Sequence, residues 1–225
     1  MLFVGLSVTA SGLANADGTP TLPPPADLVL TRFESFILTS CIPCVREFYY
    51  IATVPVPPVK TPAFPGVPAL SIRANTRAGE LRFELMRAYP VGLQSRAHMA
   101  MRLVLSVAGG SEGQLYPLGT GLLDEDEVPV LEAALSQMGK SSAETSDTSI
   151  QLVDTEFHID SIRMGTVRTG NQIVAYVQVA PTDLPRFALK QVWEIPALFL
   201  SSDDIPALER AVKQVHEKIR AIRGR

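Results

Sequence analysis

The sequence predicts an α+β protein, antiparallel and β-rich, built as two related β-β-β-α units preceded by a Pro-rich N-terminal β segment. The first observation behind this is an internal match: residues 122–138 align without a gap on residues 199–215, 77 positions later. Leu123/Leu200, Asp126/Asp203, Pro129/Pro206, Leu131/Leu208, Glu132/Glu209, Ala134/Ala211 and Gln137/Gln214 are identical pairs. A period this long exceeds that of a solenoid and suits a duplicated small unit. The second observation is that runs of β-branched and aromatic residues, separated by turn residues, precede both copies. The third is that 11 of the 18 prolines fall between Pro20 and Pro68, which excludes long helices there.

Six segments follow. Residues 1–16 read as a signal peptide, because Leu2 to Ala16 carry no charge and end in Ala14-Asn15-Ala16, the small-x-small pattern that precedes cleavage. The mature chain is then expected to begin at Asp17, and the protein to be exported, periplasmic or extracellular. Residues 17–31, with Pro23-Pro24-Pro25, form a Pro-rich spacer of polyproline character. Residues 32–79 are the N-terminal β segment. In it, Arg32 to Thr39 and Arg46 to Val54 read as two strands joined at Cys41-Ile42-Pro43-Cys44, and a second Pro-rich stretch runs from Pro55 to Pro68.

The first β-β-β-α unit spans residues 80–138. Its strands are Glu80 to Tyr89, His98 to Ala108 and Gln114 to Leu118, with a turn at Gly109-Gly110-Ser111. A polar linker, residues 139–150, leads to the second unit, residues 151–225. There Glu156 to Thr169 and Gln172 to Ala180 meet at Gly170-Asn171, and Leu189 to Leu200 is the third strand. Carried backward with one slip of about five residues, the internal match sets Leu103 to Ala108 over Ala175 to Ala180. Both helices open with acidic residues and a first-turn proline, where negative charge complements the dipole and the missing N–H is not needed. One stripe, Val128, Leu131, Leu135 and Met138, and another, Ile205, Leu208, Val212, Val215, Ile219 and Ile222, repeat at helical spacing, so each helix is expected to cover a sheet face.

The chain has 225 residues, 46% of them hydrophobic, which is enough apolar material for a sizeable core. Its 20 basic and 23 acidic side chains leave a net charge of −3, with no basic excess to neutralise a phosphate backbone. Nucleic acid is therefore not expected as a partner. Nor does any run of about 18 apolar residues offer a transmembrane segment.

Two constellations could carry chemistry. Cys41 and Cys44 are the only cysteines, and they cannot complete a four-ligand zinc site without histidines nearby. They form either a disulfide or a working dithiol, and an oxidising compartment favours the bridge. A C-x-P-C pair at a strand-to-helix junction would have a lowered thiolate pKa on its first cysteine and a resolving second one. Cys41-Ile42-Pro43-Cys44 followed by Val45-Arg46-Glu47-Phe48 resembles the active site of the thioredoxin family, and Gly66-Val67-Pro68 resembles the loop that carries that family's cis-proline. The resemblance covers about a dozen residues and implies thiol-disulfide exchange with Cys41 and Cys44 as catalytic residues. No Trp precedes Cys41, and the residues after Cys44 favour a strand, so a structural disulfide is the first expectation.

The second constellation is Glu156-Phe157-His158-Ile159-Asp160. Strand alternation would place Glu156, His158 and Asp160 on one face, an alternative set of metal ligands. Such a set spans about 13 Å, wide for one ion, and a solvated strand face explains it equally. No metal or other cofactor is expected. Asp124-Glu125-Asp126-Glu127 lacks the glycine of a calcium loop and reads as helix N-terminal charge, and His98 and His216 have no evident partner in sequence. Tyr49, Tyr50, Tyr116, Tyr176 and Trp193 could form an aromatic patch on the sheet, although aromatic strand residues are commonly core. With no nucleophile elbow, P-loop or dinucleotide fingerprint, the expected function is an exported, non-catalytic binding or assembly protein. It would present a duplicated sheet surface to a protein partner or to itself, the alternative being thiol-disulfide exchange through the cysteine pair.

Overall fold

The computed structural model describes residues 30–58, 78–109, 114–143, 155–159, 162–169, 172–179 and 197–224. The expected signal peptide and most of the expected spacer, together with Gly66-Val67-Pro68, Gly170-Asn171 and Trp193, lie outside the described residues. Among the described residues two antiparallel four-stranded meanders make up the β structure. The first joins β1 (Cys44–Val56), β2 (Gly79–Pro90), β3 (His98–Gly109) and β4 (Gln114–Asp124) in that order, and is followed by helix α2 (Val128–Ala143). The second joins β5 (Thr155–Ile159), β6 (Ile162–Thr169), β7 (Gln172–Val179) and β8 (Ala197–Ser201), and is followed by helix α3 (Ile205–Arg223). A short helix, α1 (Arg32–Thr39), precedes the first sheet.

Alternation decides which way each strand faces. In β2, Leu81, Phe83 and Leu85 are buried toward the main core while Glu80, Arg82 and Glu84 point the other way. Their neighbours on β3, Leu105, Leu103 and Met101, sit directly opposite and join the same core. Both helices use the stripes the sequence predicts: Val128, Leu131, Leu135 and Met138 are buried on α2, and Ile205, Leu208, Val212, Val215 and Ile219 on α3. Pro129 and Pro206 each occupy the second residue of their helix. The two helices pack on each other, and α3 lies against β1 and β2 of the first sheet while α2 touches β5 of the second. One continuous core therefore serves both sheets.

Several expectations need correction. Arg32 to Thr39 is a helix, not a strand, because Thr31 and Glu34 form a capping box and Phe33, Phe36 and Ile37 fall on one helical face. Each sheet has four strands rather than three. Residues 44–56 supply the extra strand of the first, pairing with β2 along their length, and the run 156–169 folds back on itself as β5 and β6. Helix α2 continues through Gly139 to Ala143, beyond the expected start of the linker. Met101 opposes Leu123 and Leu103 opposes Gly121 in the first sheet, and Ala175 opposes Leu200 and Val177 opposes Leu198 in the second.

Where the sheets meet, β4 touches β6 and β7. A Cβ at Gly121 would overlap Ile162 Cγ1 and stand 3.1 Å from Val179 Cγ1, so only glycine allows this approach.

Candidate functional site

The first sheet has a second face, turned away from the main core, and α1 covers one end of it. Phe33, Phe36 and Ile37 pack there on Met86, Ala88 and Ala100 together with Cys41 and Cys44. Phe36 stacks on His98, with ring centroids 4.0 Å apart. The docking depends on Asp124, at the end of β4, whose buried carboxylate accepts from Phe33 N at 2.9 Å and Arg32 N at 2.8 Å. Its second contact with Arg32, through Nε at 3.2 Å, adds a charge to the cap. The acidic run thus holds elements other than the helix it precedes: Asp126 pairs with Arg32, and Glu125 with Arg223 of α3.

The row of β1 on this face stays open. Register puts Arg46, Phe48 and Tyr50 side by side there, opposite Ala88, Met86 and Glu84. Phe48 is 56% exposed and Tyr50 65%. Leu38 of α1 and Ile42 of the cysteine corner are exposed as well. Inward from β1, Glu84 bridges Arg82 Nε at 2.9 Å and Arg102 Nη1 at 3.1 Å, so the sheet centre carries paired rather than free charge.

The opposite face of β1 bears a polar cluster around Glu47. Its carboxylate accepts from the Tyr49 hydroxyl at 2.6 Å, the Tyr89 hydroxyl at 2.9 Å and Arg87 Nη1 at 3.0 Å. Arg87 also lies over the Tyr89 ring, and Lys218 of α3 lies over that of Tyr49, each 4.8 Å from the centroid. The Tyr49 hydrogen bond, with those from Arg87 and Tyr89, holds the Glu47 carboxyl below its usual range against the opposing effect of burial. Hydrogen bonding to Glu47 raises both tyrosines above theirs. Both carboxylate oxygens of Glu47 are engaged, and the cluster ties β1 to β2.

Cys41 and Cys44 are bridged, with Cα atoms 4.8 Å apart and a cis Ile42–Pro43 bond between them. The pair follows α1 and opens β1, a helix-to-strand junction rather than the expected corner between two strands, and unlike the strand-to-helix junction that the thioredoxin resemblance implies. No helix starts after Cys44, so no helix dipole is available to lower a thiolate pKa. Cys41 is 2% exposed, while Cys44 is half-buried. Val91 N of the β2–β3 turn donates to Pro43 O at 3.3 Å, fastening this corner to the sheet end.

Glu156 and His158 lie on β5, opposite Gly165 and Arg163, and Asp160 falls beyond the end of that strand, outside the described residues. Among the described residues no group of three His, Cys, Asp or Glu side chains is placed to hold a metal. Of the tyrosines singled out by sequence, Tyr50 and Tyr116 are exposed, Tyr49 is half-buried in the Glu47 cluster, and Tyr176 is buried. Sequence reasoning missed Glu47 with Arg87 and Tyr89, because only the β1–β2 register brings them together. It also missed the partner of His216, whose Nδ1 is 2.8 Å from Glu132 Oε2 across the α2–α3 contact. No described helix is long and apolar enough to cross a membrane. No family model matches the chain, and no curated protein is significantly similar to it.

Proposed function

We propose that the protein is an exported, non-catalytic binding or assembly component that offers the outward face of its first sheet to a protein partner. The observation that carries this reading is the open row of β1, where Phe48 and Tyr50 are exposed beside Arg46 on a surface that α1 leaves uncovered. Aromatic and arginine side chains are the residue types that dominate protein interfaces. The burial of Cys41 and the absence of a following helix weigh against thiol-disulfide exchange, which needs an accessible and activated thiolate. The disulfide itself is compatible with an oxidising compartment.

We further infer that the two meander-plus-helix units derive from one duplicated unit. The shared strand order, the equivalent ladder pairs and the matching prolines of α2 and α3 support this. Exchange of helix partners between the sheets would then follow from keeping two copies in one chain, each completing the core of the other.

Co-purification from the native source, with partners identified by mass, tests the binding reading. Wild type is expected to retain a stoichiometric protein that the Phe48→Ser, Tyr50→Ser variant loses. Equal capture by both, or insulin reduction that depends on Cys41 and Cys44, would overturn it. Export is tested by N-terminal sequencing of extracytoplasmic material, which is expected to begin at Asp17; an intact Met1 in the cytosol would count against it.

A further inference from the structure

We propose that β1 is the pairing edge for a second copy of this chain, joining two first sheets antiparallel across a twofold axis at Phe48. The inference rests on the binding and assembly reading and names the partner. In the described structure β1 lies at the edge of its sheet, with β2 its only ladder partner. From Cys44 to Tyr50 its register runs unbroken, and the first irregularity comes between Tyr50 and Ala52. That run holds no Pro or Lys, and its two charges are of opposite sign, Arg46 on the outer face and Glu47 held by Tyr49, Tyr89 and Arg87 on the inner one. An edge of this kind invites a further strand.

The side chains select the occupant and the register. When identical strands pair antiparallel about a twofold axis, residues equally far on either side of the axis come face to face. With Phe48 on the axis, it meets its own mate, and Arg46 of each copy lies opposite Tyr50 of the other. That produces an aromatic pair flanked by two cation-π pairs from the exposed residues of β1. On the opposite face Glu47 of each copy meets Tyr49 of the other, and the regular run ends before the bulge at Ile51. Placing the axis at Arg46 would set arginine against arginine, and placing it at Glu47 would set carboxylate against carboxylate, both unfavourable. The Phe48 register avoids both repulsions; an axis at Tyr49 or Tyr50 does so too but sets Arg46 against Ala52 or Val54, so of the three only the Phe48 register faces Arg46 with an exposed aromatic.

The test uses the purified full chain with its native disulfide, studied by sedimentation equilibrium. Wild type is expected to show a reversible monomer–dimer equilibrium. Tyr50→Arg, which faces Arg46 of the other copy with a like charge, is expected to lose the dimer. The double exchange of Arg46→Tyr with Tyr50→Arg is expected to restore it, because the opposed pair is re-formed in reverse; circular dichroism checks that each variant folds. A cysteine on the axis lies within disulfide range of its mate, so Phe48→Cys is expected to cross-link two chains under oxidation while Tyr50→Cys does not. A wild type that stays monomeric at its solubility limit overturns the proposal, as does a dimer indifferent to Tyr50→Arg. If a different protein is captured through Phe48 and Tyr50 by a monomeric chain, self-pairing fails and the binding reading stands.

Discussion

Gly121 of β4 and Ile162 of β6 touch where the two sheets meet, with the isoleucine side chain filling the space a Cβ at Gly121 would need. Both residues belong to the contact that makes one core from two meanders. Gly121→Ala is therefore expected to destabilise the protein by about 1–3 kcal/mol through overpacking. Denaturant melts of the single variant and of Gly121→Ala with Ile162→Val measure it. Partial recovery in the double variant is expected, and equal stability of Gly121→Ala and wild type would show that the sheets separate freely there.

Asp124→Ala removes the carboxylate that accepts from two backbone N–H groups at the start of α1, and its charge, and is expected to cost about 2 kcal/mol. The loss should be local, with faster amide exchange in α1 and at Phe33, while the β2–β3 ladder keeps its protection. Uniform loss across the sheet would indicate that Asp124 holds β4 rather than α1.

The Glu47 cluster makes stability depend on pH at both ends of the scale. A carboxyl whose folded pKa is depressed stabilises the protein above its unfolded pKa, and the contribution vanishes as pH falls through the folded value. Glu47→Gln is accordingly expected to be less stable than wild type by about 1 kcal/mol at neutral pH, the cluster being partly exposed. The two proteins should converge below the carboxylate range. Tyr49 and Tyr89 behave oppositely: their raised values stabilise below the ordinary phenol range, near pH 10, and the contribution is lost as pH rises through their folded values. Ultraviolet titration should find two late-ionising tyrosines in wild type and earlier ionisation in Glu47→Gln.

Replacing both cysteines, Cys41→Ser with Cys44→Ser, closes no loop and is expected to cost at most about 3 kcal/mol. Binding through Phe48 and Tyr50 should survive. Catalysis of insulin reduction by wild type at rates near those of exchange enzymes, absent from the double variant, would contradict this.

What the sequence made legible was periodic or punctuated. The stripes of α2 and α3 and the prolines at their starts are local signals, and burial follows them residue by residue. Helix α1 was equally local, since Thr31 and Glu34 spell a capping box, yet the β-branched and aromatic character of the segment outweighed it in the reading of Arg32 to Thr39 as a strand. The contacts of Glu47 with Arg87 and of His216 with Glu132 were not legible. Each depends on a strand register or a helix crossing that no short window contains. The exposed Phe48 and Tyr50 lay hidden for the opposite reason: an aromatic on a strand looks the same in sequence whether its face is covered or bare, and α1, which decides that here, covers only the neighbouring rows.

The packing of α3 against β1 and β2 sets a schedule for synthesis. The strands of the first sheet are translated long before Ile205 to Arg223, so this sheet leaves the ribosome with its inner apolar side lacking the helix that covers it. Long-range contacts of this kind are slow to form and favour late, all-at-once folding over stepwise folding of the leading half. A nascent chain arrested before α3 would thus be a substrate for chaperones or proteases rather than a half-built protein.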